Sequence, residues 1–425
     1  MTFIFVTIIL DVLGFGILIP VLAPLVLQFT QNGQEGALMF GLLLSVWSLM
    51  QFLFSPLTGA LSDRFGRRPV LILSAIGLGF DYIIMALAPT LTWLFIGRIL
   101  SGITASSYPS ASAYVADVTP PERRAAAFGM VGAAWGIGFI MGPALGGLLG
   151  GINLRAPFWA AAAMSFGSAV YGLFVLPESL PAGTRKPLSL RSANPLGSLS
   201  FLRRHPGLLG LAGVTTLNFL AFQVLPSVTV LYVGYRYGWG ALYVGLTLTL
   251  VGVCNITVQA GLVKPLIKRL GERRTLYFGL LMGMTGFLWY GLAPGGVIFL
   301  LGVSVFAFIG LVQPSLQSLM TRQVSPVEQG RLQGANASLM GLTGILGPLL
   351  FDSVFASFTG KTPIADVPGA PYLVAAVLML ASAMLAIRVT RPSREASHPG
   401  DRNRAGSPVP TVDPPVAADG PVDRR

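Results

Sequence analysis

Charge is what this 425-residue sequence has least of, since only 10% of its residues are Asp, Glu, Lys or Arg. An average globular protein carries about 25% charged residues. Hydrophobic residues make up 53% of the chain, and its mean hydropathy is +0.72. A bilayer core about 30 Å thick needs about 20 apolar residues per helix. The composition therefore excludes an ordinary soluble protein and predicts a polytopic membrane protein that contacts the lipid bilayer.

Cysteine and histidine are almost missing as well. The single cysteine, Cys254, excludes an intramolecular disulfide, and the two histidines, His205 and His398, lie in polar segments. A zinc site needs several such ligands close together, so no metal or other cofactor is expected. An intramembrane hydrolase needs a nucleophile beside a base, and the predicted spans contain neither His nor Lys. The sequence therefore does not predict an enzyme.

Long apolar windows recur twelve times, six on each side of a polar stretch at 177–206. The candidate spans lie near 3–29, 37–61, 70–88, 91–116, 125–150, 156–176, 207–234, 239–263, 275–293, 296–320, 332–358 and 371–387. This spacing predicts an all-α membrane fold with twelve transmembrane helices in two six-helix bundles. The expected organisation is an N-terminal bundle at 1–176, a cytoplasmic linker at 177–206, a C-terminal bundle at 207–387 and a disordered cytoplasmic tail at 388–425.

The net charge of +12 is distributed unevenly between the two sides of these spans. With alternating spans, one side carries 24 of the 28 Lys and Arg residues, while the other carries Arg155, Arg236 and Lys361. By the positive-inside rule, the crowded side is cytoplasmic and so are both termini. This placement explains the basic excess without nucleic acid as a partner. It also predicts a multi-pass protein of a cell membrane, most naturally a prokaryotic inner membrane.

The two predicted bundles share an internal repeat with a constant offset of 205 residues. Gly66, Gly129, Gly142 and Pro143 recur as the residues that follow: Gly271, Gly334, Gly347 and Pro348. Around them FGRR becomes LGERR, and MGPAL becomes LGPLL. A duplicated bundle of this kind places a substrate site at the repeat interface, near the bilayer midplane. We therefore expect two halves that rock against each other around a central site.

The loop after the second span reads GALSDRFGRRPV, over 59–70. Two glycines permit a tight turn, and an aspartate among arginines forms a charge cluster that can tie helix ends together. A plain alternative is a positive-inside anchor. The string resembles the signature loop of the major facilitator superfamily, and LFIGRILSG and GIGFIMGPALGG resemble the fourth-helix motif of that superfamily and the fifth-helix motif of its proton-coupled drug exporters.

Longer strings are similar to the tetracycline-resistance efflux antiporters of that superfamily. They include ILDVLGFGILIPVL, GRILSGITAS and LQGANASLMGLTGILGPLLF, and the similarity extends over nearly the whole chain to about residue 387. The resemblance implies a secondary active transporter that exchanges protons for a drug-like small molecule by alternating access and works as a monomer. It also implies a cytoplasmic gate built from the loop and an acid at the end of the fourth span: Gly59, Asp63, Arg64, Gly66, Arg67, Arg68 and Asp117. For Asp117, solvation of a helix end is the ordinary alternative.

Glycines stand four apart in the fifth span, at Gly138, Gly142, Gly146 and Gly150. They let a neighbouring helix approach to near backbone contact. By resemblance, the antiporter motif on this face seals the two bundles against each other, and it comprises the residues that follow: Gly138, Gly142, Pro143, Gly146 and Gly147. Simple helix packing is the alternative interpretation.

Charges inside the spans are few, and each costs at least about 2.5–3.5 kcal/mol at a helix centre unless it is paired or hydrated. The candidates for proton coupling or substrate binding are Asp11, Asp81, Arg98 and Asp352. Desolvation favours the neutral acid, so proton binding can alternate with binding of a cationic drug. The alternative is a structural ion pair between Arg98 and one of the acids, and Asp352 also fits a place near the outer interface.

Uncharged polar groups within the spans are possible cavity-lining residues or simple helix contacts: Gln51, Asn255, Gln259, Gln313 and Gln317. The tetracycline exporters have a histidine in the eighth helix and an aspartate in the ninth, where this chain has Asn255 and Gly283. The repeat position of Asp63 is occupied by Lys268. The leading hypothesis is therefore proton-coupled efflux of a tetracycline-type or other drug. Export or facilitated passage of another solute, such as a sugar, a phenicol or a metabolite, is the alternative.

Overall fold

The computed structural model describes residues 2–105, 108–120, 123–180, 201–202, 205–325, 328–360 and 363–391. Every regular element in these ranges is helical. The helices numbered in the N-terminal half are α1 (Thr2–Leu27), α2 (Gly33–Phe65), α3 (Arg67–Leu87), α4 (Leu91–Thr104), α5 (Tyr108–Asp117), α6 (Arg124–Ile152) and α7 (Ala156–Val175). Those in the C-terminal half are α8 (Pro206–Phe222), α9 (Val224–Tyr237), α10 (Ala241–Thr257), α11 (Val263–Leu292), α12 (Gly296–Phe306), α13 (Val312–Thr321), α14 (Gln329–Thr359) and α15 (Ala370–Thr390).

Ten stretches of helix in the described chain are long and apolar enough to cross a membrane. The fourth expected span is divided into α4 and α5, and α4 is too short to be counted alone. One stretch, Ala241–Leu292, runs for 52 residues, more than twice the length of about 20 residues that a crossing needs. It contains α10, a π-helical segment at Val258–Leu262 and α11. The ten stretches are compatible with the twelve expected spans, because the long stretch can cross twice and α4 and α5 both fall within the fourth expected span.

Two sharp turns, each at a glycine, separate helical segments that otherwise follow each other directly in the chain. Gly66 separates α2 from α3 with φ 111°, and Gly271 interrupts α11 with φ 77°. These backbone angles are open to glycine and strained for other residues. At its other end, α2 begins four residues before the predicted span, because the Asn32 side chain accepts a hydrogen bond from the Glu35 amide at 2.8 Å. Such a cap satisfies an otherwise unpaired amide of the first turn.

The two turns define one end of the molecule, which we call the basic end because Arg64, Arg67 and Arg68 lie there. The opposite end holds the turns at Asn32, Asn153 and Gly238. Within the N-terminal half α1 packs on α6, α3 on α7 and α2 on α4. Between the halves α2 packs on α14 and α6 on α10.

The α2–α14 seam is tight from the opposite end to the middle of the two helices. A Cβ atom built on Gly41 would lie 2.8 Å from the Asp352 side chain, and one on Gly344 would lie 3.2 Å from the Ser48 hydroxyl. The Ser45 hydroxyl donates to the Ile345 carbonyl at 2.8 Å. This part of the seam therefore leaves no room for a passage.

The α6–α10 seam is similarly close near the opposite end. A Cβ on Gly147 would lie 2.7 Å from the Ala241 carbonyl oxygen and 3.0 Å from the Gly245 Cα. Further along, the Thr249 hydroxyl donates to the Ile140 carbonyl at 3.1 Å. A further close approach brings the Ile256 side chain within 2.9 Å of a Cβ on Gly136.

Toward the basic end both seams open. Gly59 continues the α14-facing side of α2, and a Cβ built there meets no atom of the described chain within 4 Å. The same holds for Gly132, one turn beyond Gly136 on α6, and for Gly330 on α14. The halves therefore meet near the opposite end and diverge toward the basic end.

The described residues from Thr2 to Val389 belong to one compact unit. Most of the predicted linker, at 181–200 and 203–204, and most of the predicted tail, at 392–425, lie outside the described residues.

Candidate functional site

Asp81 on α3 and Arg98 on α4 form a buried ion pair. The Arg98 Nη2 atom lies 3.6 Å from Asp81 Oδ2, and the two residues are 4% and 0% exposed, respectively. The guanidinium also contacts the Met85 sulfur at 3.2 Å. Gly97 makes the room, because a Cβ there would lie 2.8 Å from Asp81 Oδ1. The structure thus brings together two of the four predicted charges, in the arrangement that a structural ion pair would have.

Asp11 on α1 is the most accessible of the three membrane acids, since its side chain is only half-buried. The Ser168 hydroxyl on α7 donates to Asp11 Oδ1 at a long 3.5 Å. One turn along α1, a Cβ on Gly14 would lie 3.8 Å from the Tyr82 hydroxyl and 3.9 Å from Ser165 Oγ. Asp11 therefore lies beside a set of hydroxyl groups and remains partly exposed, unlike Asp81 and Asp352.

Tyr82, Ser165 and Ser168 were missed by the sequence reasoning, although they supply the hydroxyls around Asp11. All three are nearly fully buried. Tyr82 follows Asp81 directly, and the two serines are three residues apart on α7. The spacing of Ser165 and Ser168 places both hydroxyls on one face of α7, and this pattern could have identified them from the sequence.

Asp352 on α14 lies apart from the other charged residues. It is 1% exposed at the α2–α14 seam, and neither carboxylate oxygen has a hydrogen-bond partner in the described chain. The sequence placed it in the outer half of its span or near the interface. The structure places it at the contact between the two halves, beside Gly41.

The basic-end loop forms a compact charge network. Arg67 Nη1 lies 2.5 Å from Asp63 Oδ1, and Arg67 Nε lies 3.2 Å from Asp117 Oδ2 at the end of α5. The predicted three-residue cluster is therefore present, and Arg67 is its arginine. Arg64 instead lies over the Phe65 ring at 5.4 Å. The network ties the α2–α3 turn to the end of the fourth span.

Arg68 and Glu178 tie the same turn to α7. Arg68 donates through Nε to the Gly172 carbonyl at 3.3 Å and through Nη2 to the Leu173 carbonyl. The Glu178 carboxylate accepts from the Arg67 amide at 2.9 Å and from the Arg68 amide at 3.3 Å. It therefore satisfies the first amides of α3, where a negative charge also suits the helix dipole. Glu178 was missed because it lies 111 residues away in sequence.

The predicted antiporter motif of α6 faces both α1 of its own half and α10 of the other half. Gly142 faces α1, with a Cβ there 2.7 Å from the Gly16 Cα, and Gly146 would place one against the Ile17 carbonyl. Three of the glycines that stand four apart, Gly138, Gly142 and Gly146, therefore hold α1 of the same half. Two other members of the predicted motif, Pro143 and Gly147, lie against Gly245 of α10 in the other half.

The predicted cavity-lining amides are spread over several elements. The Asn255 and Gln259 side chains lie 3.4 Å and 3.3 Å from a Cβ built on Gly310, in a 3₁₀ segment at Ala307–Leu311. Gln317 accepts a hydrogen bond from the Asn336 amide at 3.3 Å. Gln51 is half-buried on α2 and Gln313 is exposed on α13. Gln259 lies within the π-helical segment and Asn255 lies three residues before it, and such segments are often found at functional sites.

The C-terminal half contains a charge pair that the sequence reasoning overlooked. Glu272 Oε1 lies 2.6 Å from Arg322 Nη2 and accepts from the Ser318 hydroxyl at 2.6 Å. These two residues stand 205 positions after Arg67 and Asp117. The second loop therefore does contain an acid, at the repeat position of the first loop's arginine. No cluster of three or more metal-ligating residues occurs in the described ranges.

The structure combines a transmembrane helical fold in two halves, a charge network in a loop and a fifth span rich in glycine. A known family of proteins matches the sequence that folds in this way. The model of the Major Facilitator Superfamily matches residues 4–348. The chain belongs to the Major Facilitator Superfamily. It is a multi-pass membrane protein of that superfamily, with the all-helical fold of its transporters.

Individual members of the Major Facilitator Superfamily are similar over most of the chain. Tetracycline resistance protein, class C, of Escherichia coli is 39% identical over 354 residues, which covers 83% of this chain and 88% of that protein. The class G protein of Vibrio anguillarum is 39% identical over 356 residues, covering 83% and 89%. The crystal structure of the human organic anion transporter MFSD10 aligns with a TM-score of 0.68 and 27% identity, covering 91% of this chain and 98% of that one.

Proposed function

We propose that the chain is a proton-coupled secondary exporter that carries a tetracycline-type or related drug-like molecule out of the cell. The observation that carries the proposal is the position of Asp11. It is the one half-buried acid of the three within the spans, and it lies in a half whose seams open toward the basic end. The similarity to tetracycline resistance proteins supports the substrate class.

The direction of transport follows from the orientation. We place the basic end, with both termini, in the cytoplasm of a prokaryotic inner membrane, because the arginine-rich loops lie there. The form described by the structure is then open to the cytoplasm and closed to the outside. A membrane potential supplies about 2.3 kcal/mol per charge per 100 mV, which favours inward proton movement. A single chain contains both halves of the pathway, so a monomer is sufficient.

Each group of residues has a proposed role. Asp11 exchanges a proton for a cationic substrate, and the Asp81–Arg98 pair holds α3 and α4 in position beside it. Gln51, Asn255, Gln259, Gln313 and Gln317 are candidates to line the substrate pathway. The network of Asp63, Arg67 and Asp117 governs closure at the cytoplasmic end, because it ties together helix ends that must move. The Gly147 edge of α6 keeps the outer end sealed.

The direct test is drug-dependent proton release from proteoliposomes that contain the purified chain. We expect addition of tetracycline or another exported drug to release protons, and Asp11→Asn to abolish this release. The matched control is Asp366→Asn, which changes an exposed acid in the loop between α14 and α15. Drug movement that is unaffected by collapse of the pH gradient would contradict antiport.

A growth assay identifies the substrate. Cells that express the chain are tested against tetracyclines, phenicols, dyes and other antibiotics, with the Asp11→Asn variant as the inactive reference. Protection that depends on Asp11 identifies exported compounds. Absence of protection against any drug, with the protein present in the membrane, would favour the alternative of a metabolite or sugar transporter.

A further inference from the structure

Asp352 is buried, and no compensating group contacts it in the described part of the chain. It is 1% exposed, and both of its carboxylate oxygens lack a hydrogen-bond partner among the described residues. No described cation forms an ion pair with it. A buried carboxylate that is neither paired nor hydrogen-bonded costs several kcal/mol, so the closed seam accommodates this group as the neutral acid.

The helices packed against α14 offer no charge to offset it. Among them α8 has no ionisable side chain. On α2, Glu35 lies near the opposite end and accepts from the Gln31 amide, while Asp63 and Arg64 lie at the basic end. On α9, Arg236 donates to the Ala293 carbonyl.

The tyrosines of α9 do not compensate for Asp352 either. Tyr232 donates to the Tyr290 carbonyl and Tyr237 to the Ala293 carbonyl. Tyr235 packs edge-on against Phe355, one turn from Asp352. The group that faces Asp352 directly is Gly41, whose missing side chain leaves room for the carboxyl.

Asp352 lies one turn from a residue that lines a cavity at the opposite end. A cavity of about 270 Å³ there is lined by residues of α1, α2, α9 and α14, including Phe355 and Thr359. Phe355 and Asp352 are adjacent on one face of α14, one turn apart. Separation of α2 from α14 would therefore join the carboxyl to this cavity and hydrate it.

We propose that Asp352 is a protonation site that controls the α2–α14 seam, which closes when the carboxyl carries a proton and separates when the proton leaves. The proton comes from water at the opposite end and returns to it, so it is not the proton exchanged at Asp11. This inference rests on the proposed function, because a seam that opens outward matters only in a transporter. The inference adds that the external pH controls how readily the outward-open form closes again at the α2–α14 seam.

The test measures whether the seam opens. In a Cys254→Ser background, Ser45→Cys places a thiol in the seam, where Ser45 is 5% exposed. Right-side-out vesicles are treated with a membrane-impermeant maleimide at pH 6 and pH 8. Ile364→Cys, at a position that is 77% exposed in the loop before α15, corrects for the pH dependence of the maleimide reaction itself.

With Asp352 intact, we expect corrected labelling of the seam thiol to be several-fold faster at pH 8 than at pH 6. Asp352→Asn keeps the shape of the neutral acid and cannot lose a proton, so labelling should be slow at both pH values. Equal corrected rates with Asp352 intact, or a pH dependence that survives Asp352→Asn, would overturn the proposal.

A second variant covers the case in which Asp352→Asn does not accumulate. Gly41→Ala places a Cβ within 2.8 Å of the Asp352 side chain and should keep the seam open, with fast labelling at both pH values. Labelling as slow as that of the parent at pH 6 would count against the proposal. Drug-dependent proton release is measured on the same vesicles, so loss of antiport and loss of seam control are scored separately.

Discussion

The N-terminal and C-terminal halves are built on one repeat, and they differ most in how they use charge. At the basic end, the first half pairs Arg67 with Asp117 and the second pairs Glu272 with Arg322, at the same repeat positions. The acid of the second pair therefore occupies the repeat position of the arginine in the first pair, and its arginine occupies the position of the acid. In each half the ion pair connects a glycine turn to a later helix end, that of α5 in the first half and that of α13 in the second. Both halves therefore have this ion pair, but the positions of the acid and the arginine are exchanged.

The interior of the two halves differs more strongly. The first half buries the Asp81–Arg98 pair, and the positions 205 residues later are Gly286 and Val303. There a Cβ on Gly286 would lie 2.8 Å from the Phe306 Cβ, so an aromatic ring fills the space. Aromatic side chains fill the surrounding core, with ring centroids of Tyr290 and Phe299 4.6 Å apart. One scaffold therefore accepts either a buried ion pair or an apolar core at this place.

This difference suggests a division of labour. The half with buried charges contains Asp11, the proposed coupling acid. The described C-terminal half instead has a core of packed aromatic rings and one buried acid, Asp352, at the seam. Buried ion pairs seldom stabilise more than a well-packed apolar core. The Asp81–Arg98 pair is therefore better explained by function or positioning than by stability.

The largest expected effect comes from removing one partner of the buried pair. Arg98→Leu leaves Asp81 buried without a counterion, which typically costs about 3–5 kcal/mol of folding free energy. The double variant Asp81→Asn/Arg98→Leu should recover part of this loss, because the charge is gone. Thermal unfolding of the purified protein in detergent measures both, with Arg236→Ala, an exposed arginine, as control. A double variant no more stable than Arg98→Leu would show that packing, not charge, dominates.

The next largest effect is expected from replacing Gly66 or Gly271, the glycines of the two turns. These replacements test whether the turn is equivalent in the two halves. Gly66 and Gly271 have positive φ with ψ near extended values. Replacement by alanine should cost about 1–3 kcal/mol at either turn, because such angles are strained for a residue with a Cβ. Gly240→Ala is the control, since its φ is −77° and its Cβ would meet open space. Losses in Tm that differ widely between the two turns would contradict the equivalence of the two loops.

A smaller effect is expected from moving the second half's charges into the first. Arg67→Glu alone places a third acid beside Asp63 and Asp117 and should lower both stability and transport. The triple variant Asp63→Lys/Arg67→Glu/Asp117→Arg carries the C-terminal residues at all three positions and should restore most of the stability, since such partly exposed pairs contribute about 1 kcal/mol or less.

A transport measurement on this triple variant distinguishes an effect on folding stability from an effect on the cytoplasmic gate. If the connection alone matters, drug resistance returns together with Tm. Recovery of Tm without recovery of resistance would show that the sign of the first loop is needed for the gate. Equal losses in the single and triple variants would mean that the repeat positions are not interchangeable.

The smallest effect concerns the residue before α14. The hydroxyl and amide of Ser325 donate to the Glu328 carboxylate at 2.8 Å and 3.3 Å, and these bonds hold the pKa of Glu328 below its usual range. The lowered pKa means that the carboxylate stabilises the fold above the unfolded-state pKa, and that this contribution is lost as the pH falls through the folded-state value. Arg123 occupies the matching position before α6.

Ser325→Ala should therefore lower Tm slightly at pH 7, and the difference from the parent should vanish at strongly acidic pH. The corresponding control, Arg123→Ala, should show no such pH dependence, because Arg123 does not titrate in this range. A Tm difference between Ser325→Ala and the parent that is constant with pH would contradict the proposed origin of the effect.

Sequence patterns were sufficient to predict an all-helical membrane fold of the Major Facilitator Superfamily. Apolar windows of helical length leave few alternatives in a bilayer, because each backbone amide must be paired within its own helix. The glycine turns and the Asp63–Arg67 spacing depend on residues close together in the chain. Glu178 and the Glu272–Arg322 pair escaped notice because their partners lie at least 50 residues away.

The amino-acid sequence by itself determined that this chain crosses a membrane many times as a duplicated helical unit, since hydrophobicity and periodicity are local properties. Only the tertiary structure decided which charges meet. It paired Arg98 with Asp81, left Asp11 partly accessible and placed Asp352 alone against Gly41. The physical reason is that the energy of a charge depends on its neighbours in space, and a helix face acquires its neighbours only when the helices pack.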